Sequence, residues 1–407
     1  MSDASTLHAP GDPAPGSAAG PPGSAGRRRW RRRWRRRWPV RLVAVAVALA
    51  VAALVADHVE LDEYVLTPGQ AQAVGPLIKV PASRAHRVNH SVLLTDVFVT
   101  QVTALSYLPD RLDGNAQMVS AETLLGPSTP PDQMLAQGYL EMAQSQAAAK
   151  AVALTRLGYP VTEHATGALI FAVQPGSPAS RVLRVGQVVT KVDGIPTPGV
   201  CPFVSALASL RPGDVADLTV QRDRVTSQAV QVRGATVHER VRLAGWPRSA
   251  GAPPATTSCP AQAPAPKQRA YLGVEVDVQE HFQYPFPITI KTTTIGGPSA
   301  GLAMALGVVE SLTGDHLTGG HTVAATGTID QSGDVGDVGG VPQKTVAVER
   351  AGATVFFVPT DNLPTALSKA TPALRVYGVT SLGQVLADLH RLGGHVPANH
   401  QAPSHAS

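Results

Sequence analysis

"ATGTIDQSGDVGDVGGVPQKTVAVERAGATVFFVP", residues 325–359, runs through a strand, a polar turn, a Gly-Gly loop, a helix opening on a lysine, and an apolar strand. Strands and helices alternate here, as they do from Ala270 to about Gly394. Lys344 stands where the loop becomes the helix, among Val341, Val346 and Val348, with glycines that let backbone approach closely. It reads either as a solvated helix-start lysine or as a buried one. Glu349, five residues on, is too far along the helix to share its face, so the helix itself offers no carboxylate to hold the ammonium form.

Upstream lies "IGGPSAGLAMAL", residues 295–306, in which Pro298 and Ser299 are expected to begin a helix. Its apolar residues Leu302, Leu306 and Val309 recur on one face, and it ends at Gly314. Pro-Ser at a helix start is also common for capping reasons, so Ser299 alone is either a cap or a nucleophile. A serine hydroxyl is unreactive at neutral pH unless a base takes its proton. A lysine serves only as the free amine, which requires its pKa to fall from about 10.4 toward 7–8 through burial. A Ser-His-Asp arrangement has no support: His281, His316 and His321 sit in no triad context. "GGVPQKT" is not a phosphate loop either, because Gln343 stands where glycine must precede the lysine.

The segments "GGPSAG", "TGTID", "GGVPQK" and "ERAGATVFFVP", in this order, resemble the Lon proteolytic domain, and in particular the membrane-anchored bacterial branch that carries a PDZ domain and lacks the ATPase. The resemblance implies that Ser299 is the nucleophile, that Lys344 is the general base, and that Thr326 hydrogen-bonds the lysine. Lys344→Arg is then expected to fold and be inactive, since arginine provides no free base.

"TGALIFAVQPGSPASRVLRVGQVVTKVDGIPT", residues 166–197, resembles a PDZ domain, with Gln187 in place of the usual acidic residue. Such domains bind an extended peptide as an added strand, and the expected groove lies near Thr166–Ile170. Residues 132–157 read as a long helix. Within it "EMAQSQAAAKAVA" is similar to the Met-x-x-Ser-x-x-x-Ala helix that precedes the active-site strand in Lon domains, here "PITIKTTTIGG" at 287–297. The PDZ module is therefore expected to be inserted between that helix and that strand, the alternative being a separate domain packed in front.

The net charge of +5 is unevenly placed. Ten of the basic residues lie between Arg27 and Arg41, and without them 24 basic face 29 acidic residues. Behind the arginines, residues 42–56 are uncharged and rise about 22 Å as a helix, which becomes long enough to span with Trp38–Val40 included. An uncleaved anchor is expected, arginine end in the cytoplasm and the bulk outside it; a cleaved signal peptide is the rival. A nucleic-acid arm is not expected. The two cysteines, Cys201 and Cys259, lie where a disulfide is permitted, and free loop cysteines are the alternative. Neither has a metal-ligand neighbourhood, so no metal and no cofactor is expected.

The expected fold class is α+β: a mixed α/β Lon-type proteolytic domain with a β-rich PDZ domain, behind one transmembrane helix. The expected layout is a disordered tail (1–37), an anchor (38–57), the extracytoplasmic N-terminal part of the Lon-like domain (58–158), PDZ (159–240), a Pro/Ala-rich linker (241–268), the proteolytic core (269–395) and a disordered tail (396–407). The expected function is a membrane-anchored, ATP-independent serine endopeptidase acting on extracytoplasmic proteins or peptides. Its rival is a catalytically inactive binding or chaperone scaffold. The expected partners are protein or peptide substrates, membrane lipid through the anchor, and a second copy of the chain, since the resemblance implies ring-like assembly.

Overall fold

The computed structural model describes residues 25–86, 88, 92–125, 130–226, 231–247, 259, 269–292, 295–314 and 316–396. The N-terminal tail as far as residue 24, most of the linker and the C-terminal tail from 397 lie outside them.

Among the described residues, those from Ala25 to Val59, with Thr103–Leu105, form one compact unit. It contains α1 (Ala25–Asp57), which includes the arginine run. Arginine is a good helix former, and no glycine or proline interrupts the run before Pro39. The apolar stretch that follows is exposed: Leu42, Val43, Leu49 and Leu54 each keep more than half of their surface free. No helix among the described residues is long and apolar enough to cross a membrane. The expected extension to Trp38–Val40 lies outside the residues whose side chains are described.

The rest of the chain forms the second unit. In order it runs through β1 (Glu60–Ala73), β2 (Val92–Thr103), β3 (Gln117–Ser120) and α2 (Pro131–Arg156). Next come β4 (Thr162–Val173), β5 (Val188–Val192), α3 (Val200–Ala208), β6 (Val215–Gln221), β7 (Thr236–Arg242) and β8 (Val274–Gln283). It ends with α4 (Gly301–Thr313), β9 (Val323–Ala325), α5 (Val341–Arg350), β10 (Val355–Pro359), β11 (Arg375–Val379) and α6 (Leu382–Arg391).

One sheet has the order β11-β10-β9-β2-β1-β3. Its parallel centre pairs Val323–Ala325 with Val92–Leu94 on one side and with Val355–Phe357 on the other. Central strands buried on both faces read as unbroken apolar runs, as "VFFVP" does. Alternate residues feed two cores. Val92, Leu94, Val323, Ala325 and Phe357 pack with α2, α4 and α6, whereas Leu93, Ala324 and Phe356 pack with Val341 and Val348 of α5. The second sheet has the order β7-β6-β5-β4-β8 and its own core around Ile170, Leu218 and Phe203.

The first sheet thus draws strands from both sides of the second in sequence. The expected boundary at 240 falls inside β7, and β8, grouped by sequence with the proteolytic core, pairs along β4 from Val274↔Val173 to Gln283↔Thr162. The expected groove at Thr166–Ile170 is consequently not open. Those residues lie on β4, which is flanked by β5 and β8, so the free edges belong to β7 and β8. Segment 287–297, expected as a strand, contributes only the pair Thr289–Ile290 with Ile78–Lys79. Cys201, at the start of α3, is bonded to Cys259 with a Cα–Cα distance of 5.3 Å.

Candidate active site

The turn that carries Ser299 is clamped from two directions. Gly297 N–H donates to Gly138 O on α2 at 2.7 Å, and Ser145 Oγ, one helix face further along, donates to Pro298 O at 3.0 Å. From the opposite side Gly327 N–H and Thr326 Oγ1 both donate to Ser299 O, at 2.9 and 3.1 Å. Met142 and Ala149, the other members of the helix pattern around Ser145, are fully buried in the core beneath. Gln146 Nε2 fixes the approach to the turn by donating to the buried Thr292 Oγ1 at 2.9 Å.

The helix begins later than the sequence suggests. Its cap is Ala300 and its first residue Gly301, and no side chain caps it. Ser299 is therefore in the preceding turn, half-buried, and its hydroxyl makes no hydrogen bond among the described residues. That disposes of the capping role. The N–H groups of Ser299 and Ala300 are likewise unengaged by described carbonyls, beside a helix N-terminus that favours negative charge.

Lys344 lies in the first turns of α5 and is 2% exposed. Its Nζ donates to Thr326 Oγ1 at 3.3 Å, so Thr326 joins the lysine to the backbone carbonyl of Ser299. Burial pushes the lysine's pKa down to about 8, against an opposing pull from Asp96 on β2. Of the apolar neighbours expected from sequence, Val341 and Val348 are buried, while Val346 is only half-buried. Gly340, just before α5, has φ 68°, and a Cβ there would sit 2.8 Å from Val97 Cγ1, so this loop residue must be glycine.

Sequence reasoning missed two participants. Gly138 enters through its carbonyl, which no side-chain pattern reports. Asp96 belongs to β2, more than two hundred residues before Lys344, and the pairing of Leu94 with Ala325 sets that strand next to the one that leads into Thr326.

Residues 271–389 match the Lon protease (S16) C-terminal proteolytic domain, and residues 155–232 match the PDZ domain. Lon protease 1 of Bacillus subtilis (strain 168) is 35% identical over 91 residues, which cover 22% of this chain and 12% of that protein. Lon protease 1 of Herpetosiphon aurantiacus is 34% identical over 119 residues, covering 28% and 14%. The chain thus spans only a small part of the length of these relatives. Among solved structures, the PDZ domain of an SdrC-like protein from Listeria monocytogenes aligns with 27% of this chain and 87% of its own, at 14% identity and a TM-score of 0.19. The chain thus carries a segment that matches a Lon-type proteolytic domain and a segment that matches a PDZ domain.

Proposed function

We propose that this protein is a membrane-anchored, ATP-independent endopeptidase that cleaves extracytoplasmic proteins or peptides with a Ser299–Lys344 dyad. The observation that carries the reading is a lysine 2% exposed, bonded through Thr326 to the backbone of a serine whose hydroxyl is unoccupied. In the proposed reaction the free amine of Lys344 takes the Ser299 hydroxyl proton as Oγ attacks the scissile carbonyl. The oxyanion is met by N–H groups at the start of α4. The lysine returns the proton to the leaving amine, and the resulting ester is hydrolysed by a water that Lys344 deprotonates in turn.

The other parts of the proposal rest on separate observations. ATP-independence belongs to the proposal on the resemblance alone. Extracytoplasmic placement is supported by the Cys201–Cys259 bond, which suits an oxidising compartment, and by ten arginines ahead of an apolar helical stretch. The PDZ module recruits or orients a peptide along the free edge of its sheet, and it is inserted into the proteolytic domain, whose sheet takes strands from before and after it. Self-assembly belongs to the same proposal, on the resemblance alone.

A serine-reactive fluorophosphonate probe tests the dyad. Wild-type protein labels and cleaves an unstructured polypeptide without ATP, whereas Ser299→Ala does neither. Folded wild-type protein that stays unlabelled between pH 7 and pH 9 would overturn the enzyme reading in favour of the inactive scaffold.

A further inference from the structure

A lysine that works as a base must present its lone pair to the serine, and a neutral amine also carries two N–H bonds that set where the lone pair points. Thr326 Oγ1 takes one of them. Lys344 makes no second hydrogen bond among the described residues. On the neighbouring strand, Thr95 is 2% exposed and its Oγ1, shielded from solvent, has no hydrogen-bond partner there either. An orphaned buried hydroxyl is costly and calls for an explanation.

The register says where it lies. β9 and β2 run parallel with Ala325 opposite Leu94, so Thr326, which directly follows β9, and Thr95, on β2, come next along the two chains. Side chains alternate across a strand. Leu93 packs in the core cluster of α5, and Val97 lies against Gly340 at the start of that helix, so Thr95, between them, shares the face that α5 covers. Lys344 enters on that face. The charged group acting on it is Asp96 of β2, and its hydrogen-bond partner Thr326 is uncharged.

We propose that Thr95 is a second positioning residue for Lys344, accepting the amine's other N–H so that, with Thr326, it directs the lone pair at Ser299. The inference rests on the dyad reading. In the reacting arrangement the Ser299 Oγ–H bond breaks and an N–H bond forms at the lone pair. The oxygen keeps the electron pair with which it attacks, and the two threonines hold the other two N–H bonds throughout.

The test is steady-state peptidase kinetics of the full chain with Thr95→Val and Thr95→Ser. Valine has the same shape and removes an unpaired hydroxyl, so the melting midpoint is expected to hold or rise while kcat falls roughly tenfold at unchanged KM. Serine restores the acceptor and is expected to recover most of kcat. The pH midpoint of kcat moves down in Thr95→Val, because an ammonium gains more than an amine from the lost acceptor. A Thr95→Val protein with wild-type kcat and pH midpoint overturns the inference and leaves the dyad standing. Wild-type activity that survives Ser299→Ala overturns the dyad and the inference with it.

Discussion

A buried amine is a strained choice for a core position, and the strain is readable as a pH dependence. Free lysine titrates near 10.4; burial brings Lys344 to about 8, with Asp96 pulling the other way. For a depressed pKa the stabilising contribution is complete above about 10.4 and is lost as pH falls through about 8, a difference of roughly 3 kcal/mol. Lys344→Met fills similar volume without a charge, so it is expected to be inactive yet more stable than wild type at pH 7. Its advantage in denaturant midpoint should shrink between pH 8 and 10.4, and a constant advantage across that range would contradict the assigned burial. Peptidase activity should rise with pH through the same midpoint near 8, since only the free amine is a base. Lys344→Arg, expected from sequence to be tolerated, is a poorer probe: a permanently charged guanidinium enters a site 2% exposed, and the protein should lose stability as well as activity.

At the scale of elements, the turn that carries Ser299 depends on how closely α4 approaches α2. The helix is buried from Gly301 to Leu312, and Gly301 is the point of contact. A Cβ there would lie 2.8 Å from Ser145 Oγ and 3.0 Å from Ile329 N. Gly301→Ala therefore pushes the turn off its clamp, with an expected loss of about 1–3 kcal/mol from overpacking and a fall in kcat. Adding Ser145→Ala removes one of the two obstacles and should restore part of the stability, measured by a double-mutant cycle in denaturant; simple additivity would mean the two helices are not in contact here. The long helix, its Met-x-x-Ser-x-x-x-Ala pattern and the Lys344 helix were legible in sequence because their signals are local and periodic. α4 starts three residues after the expected Pro298, because a Pro-Ser turn and a Pro-Ser first turn have the same composition. Thr95 and Asp96 were illegible, since a parallel pairing across so long a separation leaves no mark in either strand.

For the whole molecule, the first sheet is assembled around an excursion: β1–β3 precede the second sheet in the chain, and β9–β11 follow it. The two sheets meet through α2, whose Gln137 Nε2 donates to Phe171 O at 3.1 Å and whose Gln133 Oε1 accepts from Val173 N at 3.2 Å. The partner of β8 was hidden in the sequence, because long-range strand pairing follows from shape rather than from local pattern. The disulfide is the covalent limit on this excursion. Cys201 and Cys259 are 58 residues apart in sequence, and the bond ties the segment before β8 to the start of α3. Closing a loop of that length restricts the unfolded chain by about 4 kcal/mol in the chain-entropy account. Cys201→Ser is accordingly expected to lower the melting midpoint by several degrees, and added reductant should lower that of wild type to the same value while leaving the variant's unchanged. The Ser299 site contains no cysteine, so activity on a short peptide should persist in the variant below its melting range. An unaltered midpoint under full reduction would mean that the bond does not constrain the fold, and would remove one of the two supports for placing the protein in an oxidising compartment.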